Sequence, residues 1–204
     1  MNPDGDTTFV PEVRQMFGIR IHGRGGQGAV TAAELLSVAA FLDGHEAQAF
    51  PSFGSERMGA PVASYCRIAD KPIRLREPVT VPDAVIIIDA TLVHHVDVFA
   101  GLPPHGYVLI NSARGLDELG LAELTRRHER GRAITVGATD LAREHVGRPL
   151  PNICLLGAFA ALTGMVTLAS IEAAVRDRFR PRLAQANLRA AEAAYAAVRQ
   201  VSHA

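Results

Sequence analysis

Phe17-Gly18-Ile19-Arg20-Ile21-His22-Gly23-Arg24-Gly25-Gly26-Gln27-Gly28 is the stretch on which the fold turns. Residues 17–22 read as a β-strand, and the apolar pattern over residues 27–42 reads as a helix. Between them Gly23, Gly25 and Gly28 satisfy G-x-G-x-x-G, with Gly26 as an extra glycine. Glycine permits a tight turn and a close approach of backbone to a ligand, while a helix N-terminus offers N–H groups and a partial positive charge. A phosphate, pyrophosphate or carboxylate suits such a place. The competing reading is that the glycines only let strand and helix pack closely. Arg24 and Gln27 are longer than a packing turn needs, which tilts the loop toward a ligand or a subunit surface.

A dinucleotide site of this type also needs an acidic residue at the end of the second strand, about 20 residues on. The second short strand, residues 47–50, runs instead into Phe50-Pro51-Ser52. Asp43 and Glu46 come too early, and Glu56 falls in the following loop. The nicotinamide reading weakens at the point where it is tested.

Farther along, residues 51–61 form a loop rich in Gly, Ser and Pro, leading to a strand over 62–68. Ala69-Asp70-Lys71-Pro72 signals a turn, which predicts a hairpin continuing through Ile73 and Leu75. Ala84-Val85-Ile86-Ile87-Ile88 suits a central parallel strand buried on both faces. Residues 107–110 and 133–136 read as two more strands, with a helix over 116–129 between them. Past Pro151 the character turns helical, over 155–163, 168–179 and 182–201. Alternating strands and helices predict an α/β fold: a Rossmann-like, mostly parallel sheet flanked by helices, with a helical C-terminal portion. The 204 residues divide into an N-terminal arm, 1–16, and a single domain, 17–204.

Composition narrows the function. Lys and Arg number 21 against 21 Asp and Glu, so no net charge draws nucleic acid or an anionic membrane. There is no Trp to build a base-stacking platform. Cys66 and Cys154 are the only cysteines, too few for the roughly four clustered ligands of an iron–sulfur or structural zinc site. Both lie in apolar runs and read as packing residues. The first fifteen residues lack the apolar segment of a signal peptide and no run approaches a membrane span, so a cytoplasmic protein is expected.

Three blocks carry a resemblance to a known family. Ile19-Arg20-Ile21-His22 followed by GRGGQGAVTAAELL resembles the opening of the gamma subunit, or gamma domain, of pyruvate and related 2-oxoacid:ferredoxin (flavodoxin) oxidoreductases. Phe50-Pro51-Ser52-Phe53-Gly54-Ser55-Glu56-Arg57-Met58-Gly59-Ala60-Pro61-Val62 resembles the family's loop after the second strand, closer to the pyruvate or branched-chain type than to the 2-oxoglutarate type. Pro151-Asn152-Ile153, with Gly157-Ala158-Phe159 and Gly164, resembles the helix that opens the C-terminal portion. The blocks stand in order and cover residues 17–195.

The resemblance implies a CoA-dependent, reversible oxidative decarboxylation of a 2-oxoacid to an acyl-CoA. It implies thiamine diphosphate between alpha and beta subunits, 4Fe-4S clusters in delta and beta subunits, and ferredoxin or a similar acceptor. The gamma subunit would pack against these partners, be inactive alone and touch CoA or the active-site approach. CoA carries phosphates suited to Arg and to helix N-termini. Arg24 and Arg57 are then the candidate cations, and Gln27, Ser52 and Ser55 the candidate hydrogen-bonding partners beside Gly23, Gly25, Gly26 and Gly28. For Arg57 an ion pair with Glu56 or with a partner chain competes. No residue is assigned a catalytic or metal-ligating role. Two rivals remain: a free-standing NAD(P)- or flavin-binding oxidoreductase, and a purely structural assembly subunit.

Two other places invite a reading. Asp89 ends the most buried strand and either caps the next helix or faces a site at the carboxyl end of the sheet. Asn111-Ser112 closes another strand and caps or contacts a partner. His94 and His95 are adjacent and would point about 100° apart on a helix, which does not suit one metal.

Overall fold

The computed structural model describes residues 16–51 and 58–201. Strand β1 (Met16–Arg24) leads through the glycine loop into helix α1 (Ala29–Leu42), then β2 (Glu46–Pro51) and β3 (Pro61–Ala69). Strand β4 (Ala84–Ile87) is followed by a short 3-10 helix (Ala90–His94), β5 (Tyr107–Asn111), α2 (Ala122–Arg127), β6 (Ala133–Val136) and α3 (Ala138–Val146). Helices α4 (Asn152–Thr163), α5 (Leu168–Arg178) and α6 (Pro181–Val201) complete the chain.

The six strands form one sheet in the order β2-β3-β1-β4-β5-β6. β1, β4, β5 and β6 are parallel neighbours, while β3 runs antiparallel between β1 and β2. Five strands therefore share one direction, and the α/β, mostly parallel expectation holds. Insertion of β3 pushes β2 to the edge, about 10 Å from β1 at the usual strand spacing. An acidic residue ending β2 would thus not stand beside the glycine loop as it does in a dinucleotide fold.

One face of the sheet is covered by α1, α4, α5 and α6, whose apolar residues share a core with Ile19, Ile21, Ile86 and Leu109. Helix α4 is apolar all round, as a helix enclosed on every side should be, and Asn152 through Ala160 are all buried. Gly157 is what lets α6 cross it: a Cβ there would stand 2.1 Å from the Ala191 carbonyl oxygen, so the two backbones touch. The other face packs on Leu92, Val98, Leu119 and Leu124, from the 3-10 helix, α2 and their connecting segments.

The predicted hairpin through Ile73 and Leu75 does not form; residues 70–83 include Pro72, Pro78 and Pro82, which cannot donate to a ladder, and they cross as an irregular strap. The helix expected over 116–129 is cut to Ala122–Arg127, because Gly120 adopts φ 74 and ends the preceding turn. Helix α3, stopped by left-handed Gly147, was not expected. Met16, assigned to the arm, already belongs to β1; residues 1–15 lie outside the described residues.

Cys66 and Cys154 are both free and buried, as packing residues should be. Among the described residues no helix is long and apolar enough to cross a membrane.

Candidate functional site

The glycine loop sits at the carboxyl end of β1, beside the carboxyl end of β4, where ligands gather in open α/β sheets. Gly28 adopts φ 81 and caps α1, with its carbonyl accepting from Ala32 N–H. Gly26 is exposed and also left-handed, at φ 92. The Gln27 side chain folds back across the turn: its Oε1 accepts from the Arg24 N–H at 2.7 Å, and its Nε2 donates to Asp89 Oδ2 at 2.8 Å.

Arg24 turns to the same carboxylate, with Nε 3.1 Å from Asp89 Oδ2. Its remaining nitrogens donate to the Gly59 carbonyl at 3.2 Å and to Thr91 Oγ1 at 2.9 Å. Asp89 meanwhile caps the 3-10 helix, its Oδ1 accepting from Thr91 N–H at 3.0 Å and from Thr91 Oγ1 at 2.6 Å. The cap reading of Asp89 holds, and the same carboxylate also anchors the glycine loop through Arg24 and Gln27. Partial burial works to raise this carboxyl. Hydrogen bonds from Thr91 and Gln27, with the Arg24 charge, outweigh it and hold Asp89 below the ordinary carboxylate range.

The three sequence blocks meet here. From the second block, Ala60 accepts from Gly25 N–H at 2.9 Å and Gly59 N–H donates back to Gly25 at 3.1 Å. Met58 forms a parallel bridge with Gly25 and is 87% exposed, beside Gly26. From the third, Asn152 Nδ2 donates to the Gly28 carbonyl at 3.3 Å. A Cβ on Gly28 would stand 2.5 Å from that amide nitrogen, so glycine is required by space as well as by backbone angle. Arg24, Gly25, Gly26, Gly28 and Val30 line a shallow pocket of about 230 Å³.

Of the residues singled out from sequence, Gly23 through Gly28 stand together in this loop, with Arg24 and Gln27 turned onto Asp89. Ser52, Ser55 and Arg57 lie outside the described residues. Asp89 as partner of Arg24 and Gln27 was missed, as was the contact of Asn152 with Gly28. Their separations of 65, 62 and 124 residues leave no local signal. Asn111 caps α3, accepting from Thr139 N–H at 3.1 Å.

Behind the loop, the inner positions of β1 on the same face are charged or polar. Arg20 donates to the carbonyls of Val79, Val98 and Ala100 at 3.2, 3.1 and 2.6 Å. His22 is 7% exposed; burial, aided by the Arg20 charge, pushes its pKa down to about 4.

The chain matches the family model described as pyruvate ferredoxin/flavodoxin oxidoreductase over residues 18–197. It is 47% identical over 180 residues to the pyruvate/ketoisovalerate oxidoreductases common subunit gamma of Pyrococcus furiosus, spanning 88% of this chain and 96% of that one. The pyruvate synthase subunit PorC of Methanosarcina barkeri is 51% identical over 158 residues, covering 78% and 84%. Among solved structures, the pyruvate oxidoreductase subunit PORC of Thermotoga maritima superposes with a TM-score of 0.76 at 35% identity, over 90% of this chain and 97% of that one. The fold also occupies 32% of a chain of the 2-oxoglutarate:ferredoxin oxidoreductase of Magnetococcus marinus, with a TM-score of 0.69, 16% identity and 92% of this chain covered.

Proposed function

The chain belongs to the pyruvate ferredoxin/flavodoxin oxidoreductase family and is the gamma subunit of a 2-oxoacid oxidoreductase complex, and from that premise we propose that the face around the glycine loop is the one it turns toward the reacting centre. The observation that carries this is the convergence of residues 23–28, 58–60 and Asn152 at the carboxyl ends of β1 and β4. Residues 17–204 act as one gamma-type domain. Its partners are alpha, beta and delta subunits, with thiamine diphosphate and 4Fe-4S clusters in those partners and ferredoxin or a similar protein as acceptor. The complex works in the cytoplasm, converting a 2-oxoacid and CoA to acyl-CoA.

The loop's chemistry fits an anionic guest of modest size. Gly26 and the first turn of α1 present N–H groups beside a pocket that accommodates a phosphate. Gly26 and Gly28 would hold a CoA phosphate through backbone N–H groups, Gly25 shaping the turn with its own N–H given to Ala60, and Ser52, Ser55 and Arg57 would be further contacts. Arg24, largely neutralised by Asp89, would orient the loop more than bind charge. That pairing also favours a second reading, in which the chain is an assembly subunit without a CoA contact.

Affinity purification of the tagged chain from its host tests the first part: a thiamine-binding pair and a cluster-bearing subunit should travel with it and oxidise a 2-oxoacid in a CoA-dependent way. Recovery of the chain alone, or carrying a nucleotide or flavin, overturns the reading. In the assembled complex Arg57→Ala should raise the KM for CoA several-fold. An unchanged KM for both Arg57→Ala and Arg24→Ala leaves the assembly role alone standing.

A further inference from the structure

The edge of the sheet opposite β2 is open. The Arg132 and Val136 carbonyls accept from Val108 and Ser112 of the β5 side, so alternation along β6 turns the N–H and C=O groups of Ala133 and Thr135 outward. Among the described residues nothing pairs with them. Edge strands are ordinarily blunted by charge or proline, and β2 has both, Glu46 at one end and Pro51 at the other. β6 reads Ala133-Ile134-Thr135-Val136 and has neither.

Beside this edge, between β6, α3 and α6, lies a cavity of about 400 Å³. Ile134, Val136, Leu141 and Ala197 give it an apolar lining, and Asp140 and Glu144 stand at it from α3. Asp140 is paired with Arg143, whereas Glu144 makes no ion pair among the described residues. A row of unpaired peptide groups and an apolar hole next to it are the two halves of strand-addition recognition: main-chain bonds give affinity and alternate side chains fill pockets.

Resting on the subunit reading, we propose that β6 is a docking edge for an extended segment of a partner subunit, which pairs with Ala133 and Thr135, places an aliphatic side chain in the cavity and sets a Lys or Arg against Glu144. The peptide groups argue for polypeptide over a small apolar ligand, and the exposed carboxylate of Glu144, without an ion pair among the described residues, favours a basic segment.

Hydrogen–deuterium exchange of the peptide covering residues 131–137, in the isolated chain and in the assembled complex, tests this. The outward amides of Ala133 and Thr135 should exchange at least tenfold more slowly in the complex. Thr135→Pro, which removes one outward N–H and no β5 bond, and Ala197→Trp, which fills the cavity, should each weaken assembly about tenfold or more without changing the isolated chain's melting temperature. Unchanged exchange in a complex that does assemble overturns the docking edge alone. Failure of the wild-type chain to assemble overturns both it and the subunit reading. Protection that appears in the isolated chain with a dimeric mass assigns the edge to a second copy and overturns the partner segment.

Discussion

On one face of β1, Ile19 and Ile21 are fully buried among aliphatic residues of the helical layer; on the other, Arg20 and His22 are each 7% exposed and Arg24 completes the row. The same nine residues thus bury hydrocarbon in one direction and polar groups in the other. Hydrocarbon is stabilised by removal from water wherever it fits. A buried guanidinium is costly unless its donors are matched; the two terminal nitrogens of Arg20 donate to three backbone carbonyls, while its buried Nε makes no hydrogen bond among the described residues. The apolar face therefore holds the layers together, while the polar face fixes particular segments: Val79 and residues 98–100 through Arg20, Asp89 and Gly59 through Arg24.

If that division is right, the polar face is the more fragile per substitution. Arg20→Met should cost about 4 kcal/mol in urea unfolding, since it leaves three carbonyls without a donor in a largely buried place. A cost below that of Ile21→Val would reverse the comparison. His22 comes next. Its folded pKa of about 4 lies below the ordinary 6.5, so the unfolded chain takes up the proton first. Stability is complete above about pH 6.5 and falls by about 3 kcal/mol as the pH drops toward 4. His22→Met should flatten that part of the pH profile, and an equal slope in wild type and variant would remove His22 as its cause.

Asp89→Ala should cost about 2 kcal/mol, the loss of a cap and of the partner of Arg24. It should also weaken assembly, because the glycine loop loses its anchor; a stability loss with undiminished assembly would detach the network from docking. The smallest effect belongs to the apolar face. Ile21→Val should cost about 1 kcal/mol by thermal unfolding, the usual cost of one buried methylene.

Much of this was legible in the sequence where physics is local. β1, the glycine turn and α1 were fixed by alternation, by glycine and by an apolar helical run, and the β-branched run of β4 announced a central strand. The position of β3 was not legible, because a short strand with a turn on each side does not reveal which neighbour it joins or in which direction. Helix α3 carried signals that were overlooked: apolar Ala138, Leu141, Ala142 and Val146 at helical spacing, with Gly147 as the stop. At the site the glycines were readable, but the reading aimed Arg24 and Gln27 outward. Asp89 turns both inward across 65 and 62 residues of chain, a distance that local pattern does not bridge.

The two buried cysteines have a consequence for any electron-carrying assembly that includes this chain. Burial pushes both thiols up to about 12, so at neutral pH about one in 100,000 is ionised. Since the thiolate is the species that binds metal, exchanges with disulfides and is oxidised, these two thiols should react slowly with metal ions, disulfides and mild oxidants while the chain stays folded. A single cysteine introduced on the surface of this chain would therefore react with a thiol probe against a dark background.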